Sequence, residues 1–196
     1  MRNPKGIRSN ASQSPPAGST PESPVEQVAR QAPLGASPIA GSEIIRLIES
    51  GTSLLEQNVA AVDALNVFPV PDGDTGTNML LTMRSALEGA STAKSHEAGE
   101  TLRAIARGAV MGARGNSGVI LSQIIAGYAR GLEGTTTLDS RHLAQALMEG
   151  ATTAYRAVTR PVEGTILTVA RAAGEGAVAA IDANPDSTAA QVLDAA

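Results

Sequence analysis

Apolar residues recur every three or four positions from Ser42 onward, and no stretch alternates convincingly between apolar and polar. That period gathers apolar side chains on one face of a helix and leaves no strand to pair, so the expected fold class is all-α. Ile44, Ile45, Leu47, Ile48, Leu54 and Leu55 open an amphipathic helix behind Ser42, which the sequence offers as its N-cap. A second helix is predicted from about Thr77 through Met79, Leu80, Met83 and Leu87, and a third over roughly 97–112. The fourth carries Ile120, Leu121, Ile124, Ile125 and Tyr128 on one face, with Val119 near its start. Leu143, Leu147, Ala151, Tyr155 and Val158 mark a fifth, which Pro161 stops, and a sixth begins near Glu163 with Ile166, Leu167, Val169 and Ala170. The seventh follows Asn184, Pro185 and Asp186, where Thr188 and Gln191 have capping-box spacing. Seven helices with short connections predict an antiparallel up-and-down bundle or barrel. The last helix reaches Ala196 in mid-pattern, so the expected bundle is cut before its closing helix. An open bundle exposes an apolar seam through which two copies could pair as a homodimer.

Aromatic residues make up 2% of the chain and tryptophan is absent, so closely spaced helices with Ala and Gly at their contacts are expected. Residues 1–41 hold seven of the eleven prolines and lack apolar periodicity, which reads as a disordered tail ahead of a helical domain over 42–196. The tail carries +2 and the remainder −6, for a net charge of −4. An acidic chain poor in aromatics has neither the basic footprint nor the stacking surfaces of a nucleic-acid-binding protein. The lack of cysteine excludes disulfides, thiolate catalysis and Cys-based metal sites. Two histidines, His96 and His142, leave little for a His-rich metal site or a Ser-His-Asp triad, and both read as surface residues. No apolar run reaches the roughly 18 residues of a spanning helix, and neither a signal-peptide core nor an amphipathic Arg helix opens the chain. The expectation is a cytoplasmic protein with no membrane insertion.

Two segments interrupt the helical pattern. In the thirteen residues Asn66–Asn78, Pro69 and Pro71 forbid a helix and hold the chain extended, which would turn Asp72 and Asp74 to the same side. Two converging carboxylates repel unless a cation lies between them, and a hard divalent ion with oxygen ligands, Mg²⁺ above all, is the natural candidate. Asn66 could add an amide oxygen. Thr75, Gly76, Thr77 and Asn78, at the start of the next helix, offer hydroxyl, amide and backbone donors for an anion. An Asp-Gly pair alone marks a surface turn, but two acids, two glycines and two prolines are more than one turn needs. An EF-hand loop begun at Asp72 would require Gly at 77 and Glu at 83, where Thr77 and Met83 stand. An aspartyl-nucleophile phosphatase would require a hydrophobic strand leading into Asp72, which the prolines oppose.

The second interruption runs from Gly112 to Gly118. Gly112, Gly115 and Gly118 let the backbone approach a ligand, and Asn116 and Ser117 can aim donors at it beside a helix N-terminus. It is neither a Walker loop, for want of a Lys-Ser/Thr pair, nor a dinucleotide fingerprint, since no strand precedes it. A structural helix–helix turn explains it equally well. Arg103, Arg107 and Arg114 read as a solvated helix face rather than a phosphate stripe. A third helix start, Pro161–Ile166, brings Thr165, though Glu163 at the positive end of a helix is an ordinary way to begin one. Together, an acidic turn ready for metal and a glycine turn ready for an anion point to a Mg²⁺–nucleotide site.

The segments Leu65–Met79, Gly112–Ile120 and Glu163–Thr168 resemble the ATP-binding domain of bacterial fatty acid kinase, which is related to the nucleotide-binding L subunit of dihydroxyacetone kinase. The resemblance covers about residues 43–196. It implies a helical up-and-down barrel with ATP and two Mg²⁺ ions at one end, Asp72 and Asp74 as metal-binding acids, and Asn66 where dihydroxyacetone kinases carry a third acid. Those kinases usually carry His where Thr75 stands, which favours the fatty acid branch. Asn116 and Ser117 match the phosphate-contacting turn, and Thr165 the helix beside the nucleotide. The implied reaction passes the γ-phosphoryl group of ATP to a fatty acid carboxylate presented by a separate acyl-binding protein. A carboxylate acceptor is already ionised at neutral pH and needs no protein base. The resemblance also implies further domains after the nucleotide-binding one, so that this chain would bind nucleotide without being the complete kinase. The rival readings are a kinase for a small hydroxyketone such as dihydroxyacetone, a nucleotide-binding regulatory module that turns nothing over, and a purely structural bundle.

Overall fold

A computed structural model describes residues 38–67 and 71–196. They form seven helices, α1 (Gly41–Ala64), α2 (Thr75–Ala90), α3 (Ala98–Gly112), α4 (Gly115–Gly131), α5 (Ser140–Ala157), α6 (Ile166–Ala183) and α7 (Ala189–Ala195). Among the described residues there is no strand, only an isolated antiparallel bridge between Ile39 and Leu138. The chain is all-α, as its periodicity requires.

Small residues set how the helices meet. A Cβ placed on Gly89 of α2 would lie 2.8 Å from the Cα of Gly108 on α3. On Gly127 of α4 it would lie 2.5 Å from the Cα of Gly150 on α5. Backbones this close leave no room for side chains between them, and packing is gained from many short contacts instead. Each helix runs antiparallel to its neighbour in the chain, Gly89 facing Gly108 while Ser85 faces Gly112. Consecutive helices pack on one another, α1 reaches α3, α2 reaches α4, and α5 reaches α7. Among the described residues no extensive packing joins α1 to α5, α6 or α7.

The main core lies among α1 to α4, where Ile44, Leu102, Ile105, Ile125 and Leu132 are buried. A second cluster joins α5, α6 and α7 through Ala144, Ala177, Ile181 and Val192, and a third joins α4, α5 and α6 through Ile124, Ala154 and Leu167. No described helix is long and apolar enough to cross a membrane.

Several boundaries differ from those the sequence predicts. The expected tail extends to residue 41, but Ile39 is buried and exchanges hydrogen bonds with Leu138, at 2.7 and 2.8 Å, while the Gly41 N–H donates to the His96 carbonyl at 2.9 Å. A single apolar residue behind a proline-rich stretch shows no period, and its partner lies far along the chain. Residues 1–37 lie outside the described residues. The N-cap of α1 is Ala40, not Ser42, and Glu43 substitutes for a capping side chain by accepting the Ala40 N–H at 3.0 Å. The glycine interruption is shorter than expected. Only Ala113 and Arg114 separate α3 from α4, and Gly115–Gly118 form the first turn of α4. Thr188 and Gln191 do form the predicted capping box.

Candidate functional site

In an up-and-down array every second helix starts at the same end. The N-termini of α2, α4 and α6 therefore come together, and each contributes the positive end of a helix dipole. Between them lies a cavity of about 930 Å³. Its walls are apolar, with Val62, Met79, Ile120, Val158 and Leu167 among them, and its polar groups come from the helix starts and the connections before them. Thr75 belongs to α2, Asn116 and Ser117 to α4, Thr165 caps α6, and Asn66 follows α1. Five residues singled out from separate motifs thus face one space. Asp72, Asp74, Gly76, Thr77, Asn78, Gly115 and Gly118 do not line it; the two acids stand beside it, and the others hold its frame.

The α1–α2 connection is built on Asp63, which the sequence reading missed. Its Oδ1 accepts the N–H groups of Gly76 at 2.6 Å and Thr77 at 3.1 Å, and its Oδ2 accepts the Thr77 hydroxyl at 2.9 Å. Partial burial pushes the Asp63 carboxyl up, but those bonds from Thr77 and Gly76 outweigh it and hold the group below its ordinary value. Asp63 thus caps α2 from the end of α1, and the Gly76 and Thr77 donors are committed to it rather than open to a ligand. One signal could have found it: an acid in the last turn of a helix sits at the unfavourable end of the dipole and calls for a distant partner.

Gly73, with φ +66°, turns the chain between Asp72 and Asp74, in place of the extended run that the prolines predict. Pro69 lies outside the described residues. The Asn66 side-chain amide donates to Asp72 Oδ1 at 2.6 Å and ties the two ends of the segment together. Asp74 is the N-cap residue of α2 but makes no capping bond with its side chain. Among the described residues no group of three or more His, Asp or Glu side chains could enclose a metal. Mg²⁺ does not need such a cage, since it is commonly held through one or two carboxylates together with phosphate and water oxygens. Two exposed or half-exposed carboxylates and an amide oxygen next to Thr75 are a donor set that fits it.

At the α3–α4 connection, Gly115 has φ +55° and lies against the Asn78 side chain, where a Cβ would clash with its amide nitrogen. Gly118 is similarly pressed against the Thr82 hydroxyl, which also accepts the Arg114 N–H at 3.2 Å. These contacts seat the start of α4 against α2 and bring Ser117 Oγ to 3.4 Å from Thr75 Oγ1. Arg103 pairs with Glu100 at 2.6 Å and Arg107 is exposed, a solvated face as expected.

At the α5–α6 connection, the Thr165 hydroxyl donates to the Val162 carbonyl at 2.8 Å and accepts the Leu167 N–H at 3.3 Å. Glu163 Oε1 accepts the Tyr155 hydroxyl at 3.0 Å, and its Oε2 accepts Thr168 Oγ1 at 2.7 Å and Arg171 at 2.8 Å. The bonds from Thr168 and Tyr155, with the guanidinium of Arg171, keep the Glu163 carboxyl below its ordinary value. The sequence showed Glu163 only as an acid at a helix start.

The family model of the DAK2 domain matches residues 69–196. An uncharacterized protein of Staphylococcus saprophyticus is 47% identical over 142 residues, covering 72% of this chain and 26% of its own. Uncharacterized proteins of Staphylococcus aureus strains RF122 and USA300 are 49% and 48% identical over the same length, with the same coverage. The chain thus spans about a quarter of the length of these relatives. With the model matching well over half of its residues, the chain belongs to the DAK2 domain family, the L-type dihydroxyacetone kinase family, and is a kinase-like domain.

Proposed function

We propose that this chain is the Mg²⁺–ATP-binding domain of a kinase that transfers the γ-phosphoryl group to a fatty acid carboxylate held by a separate acyl-binding protein. One observation carries the nucleotide reading: three helix N-termini with Thr75, Asn116, Ser117 and Thr165 converge on one cavity beside the Asp72–Asp74 turn. Helix starts carrying the Thr75 hydroxyl and the Asn116 amide favour bound phosphate oxygens, and the apolar walls suit a nucleoside. Asp72, Asp74 and Asn66 would hold Mg²⁺, two ions by the family resemblance, which supply charge neutralisation for the phosphates when bound. The chain's own part is to bind and orient. In the transfer, an acceptor carboxylate oxygen bonds to the γ-phosphorus as the bond to the β,γ-bridging oxygen breaks. ADP leaves with that electron pair and an acyl phosphate forms, with no proton to remove from the acceptor. By the family resemblance, Thr75 stands where dihydroxyacetone kinases usually carry His, which supports the carboxylate acceptor over a hydroxyketone.

Calorimetric titration of ATP, with and without Mg²⁺, tests the nucleotide reading beside an Asp72→Asn, Asp74→Asn double variant. The expected result is Mg²⁺-dependent affinity in the micromolar range, a binding free energy of about −8 kcal/mol, lost in a double variant that keeps its helical circular dichroism. Equal binding with and without the two carboxylates would overturn the metal assignment, and no binding at all would overturn the nucleotide site. Supplying fatty acid with its acyl-binding protein, or dihydroxyacetone, to a full-length relative of this family then distinguishes the acceptors.

A further inference from the structure

Residues 159–164 are exposed throughout and carry no regular structure, yet Arg160, Val162, Glu163 and Gly164, with Thr165 after them, form one wall of the cavity. An exposed segment with little burial belongs to the least stable part of a fold, and a mobile wall would have to be ordered each time a ligand bound. Here side chains from both flanking helices hold it. Glu163 uses both carboxylate oxygens, on Tyr155 of α5 and on Thr168 and Arg171 of α6. The Thr168 hydroxyl, while donating to Glu163, accepts the Gly164 N–H at 2.8 Å, so one hydroxyl closes the turn in which Gly164 adopts φ +77°. Arg171 also donates from Nε to the Tyr155 hydroxyl at 3.3 Å and lies 5.9 Å from the centre of its ring.

An isolated ion pair at such exposure adds little to global stability. Three donors converging on one carboxylate, with a fourth bond closing the turn behind it, do something more local: they fix the backbone from Val162 to Thr165. Thr165 is the N-cap of α6, and its own hydroxyl already bonds within the turn. Where the turn goes, the start of α6 goes.

We infer that Glu163 is a positioning residue, acting with Thr168 and Arg171 to pin the α5–α6 turn so that the α6 N-terminus meets a nucleotide already in place. The inference rests on the nucleotide reading of the cavity and adds to it the device that preorganises its third helix start. Glu163 touches no reacting atom in this role. It lowers the ordering that binding would otherwise require, and small displacements of such a wall weaken contacts throughout a site.

The experiment uses the whole chain and ATP with Mg²⁺ as the probe, and compares Glu163→Ala, Thr168→Val and Thr168→Ser. Two quantities are read for each: amide exchange over residues 159–165, and ATP affinity by calorimetry. Glu163→Ala and Thr168→Val are expected to speed exchange in the turn and to weaken ATP binding about tenfold, while α5 and α6 stay protected and the thermal midpoint hardly moves. Thr168→Ser keeps the hydroxyl and is expected to restore both quantities, a rescue that a merely bulky or structural role for Thr168 would not give. Unchanged exchange in both disruptive variants would overturn the inference, and so would faster exchange with unchanged affinity. If the unaltered chain binds no nucleotide, the reading of the cavity fails and the positioning role falls with it. If it binds and the variants bind equally, the positioning role alone fails.

Discussion

Glu163 keeps its charge to lower pH than an ordinary carboxyl because every donor around it, on Thr168, Tyr155 and Arg171, favours the carboxylate over the acid. A carboxyl with a lowered value in the folded state stabilises what it holds above the ordinary value of 4.5, and that contribution disappears as pH falls through the lower folded value. The facing groups settle the direction. Arg171 stays cationic throughout, its guanidinium pushed further up by Tyr155 and Glu163, and Glu175 lies on its far side at 3.8 Å. Protonating Glu163 therefore removes the carboxylate that Tyr155 and Thr168 share. The protection factor of the Gly164 amide should be flat from neutrality down to the ordinary carboxyl value of 4.5 and fall at lower pH, while that of an amide in the middle of α3 stays constant. Exchange measured by NMR between pH 3 and 7 checks this, and parallel loss at both amides would show global acid unfolding instead. At this scale the sequence was least legible. Glu163 meets partners at positions 155, 168 and 171, and Asp63 meets Gly76 and Thr77; neither spacing is a local motif, because the pairs exist only once two helices lie side by side.

At the scale of elements, all seven helices could be read from periodicity, since the face that packs is the face that repeats. Their ends could not. Glycine disfavours a helix locally, which placed the start of α4 near Val119, but Gly115 and Gly118 are where α4 touches Asn78 and Thr82 of α2, and that contact outweighs propensity. The same reasoning separates glycines that a chain of this kind must keep from those it can lose. A Cβ on Gly127 would lie 2.5 Å from both the Glu149 carbonyl oxygen and the Gly150 Cα, whereas nothing lies within 4 Å of one on Gly51 in α1. Gly127→Ala should force α4 and α5 apart and cost about 1–3 kcal/mol. Gly51→Ala meets no obstacle and should stabilise by about 0.5–1 kcal/mol, by restricting the unfolded chain and improving helix propensity. Urea unfolding of the two variants tests the pair, and equal effects would mean that small residues do not set the helix spacing.

The whole molecule assembles its site from topology rather than from any one segment. Alternate helices start at the same end, so donors that lie far apart in sequence reach one cavity. Each motif was legible because donors cluster beside helix starts, but their meeting depended on the up-and-down order, which periodicity alone does not fix. That order also separates stability from binding. Ile105, on α3, is fully buried in the core between α1 and α4 and lines no part of the cavity. Ile105→Ala should lower stability by about 2–5 kcal/mol through lost burial and an unfilled cavity. The site itself should be untouched, so the folded variant should bind ATP with Mg²⁺ as the unaltered chain does. Ligand that binds only the folded state adds stability by mass action, about 2.7 kcal/mol at a hundredfold excess over its dissociation constant. Saturating ATP should therefore raise the unfolding free energy of Ile105→Ala and of the unaltered chain by the same amount, leaving their difference constant. Thermal melts with and without nucleotide measure that difference. If it shrinks or grows on adding ATP, core and cavity are coupled, and the array does not act as a rigid frame carrying an independent site.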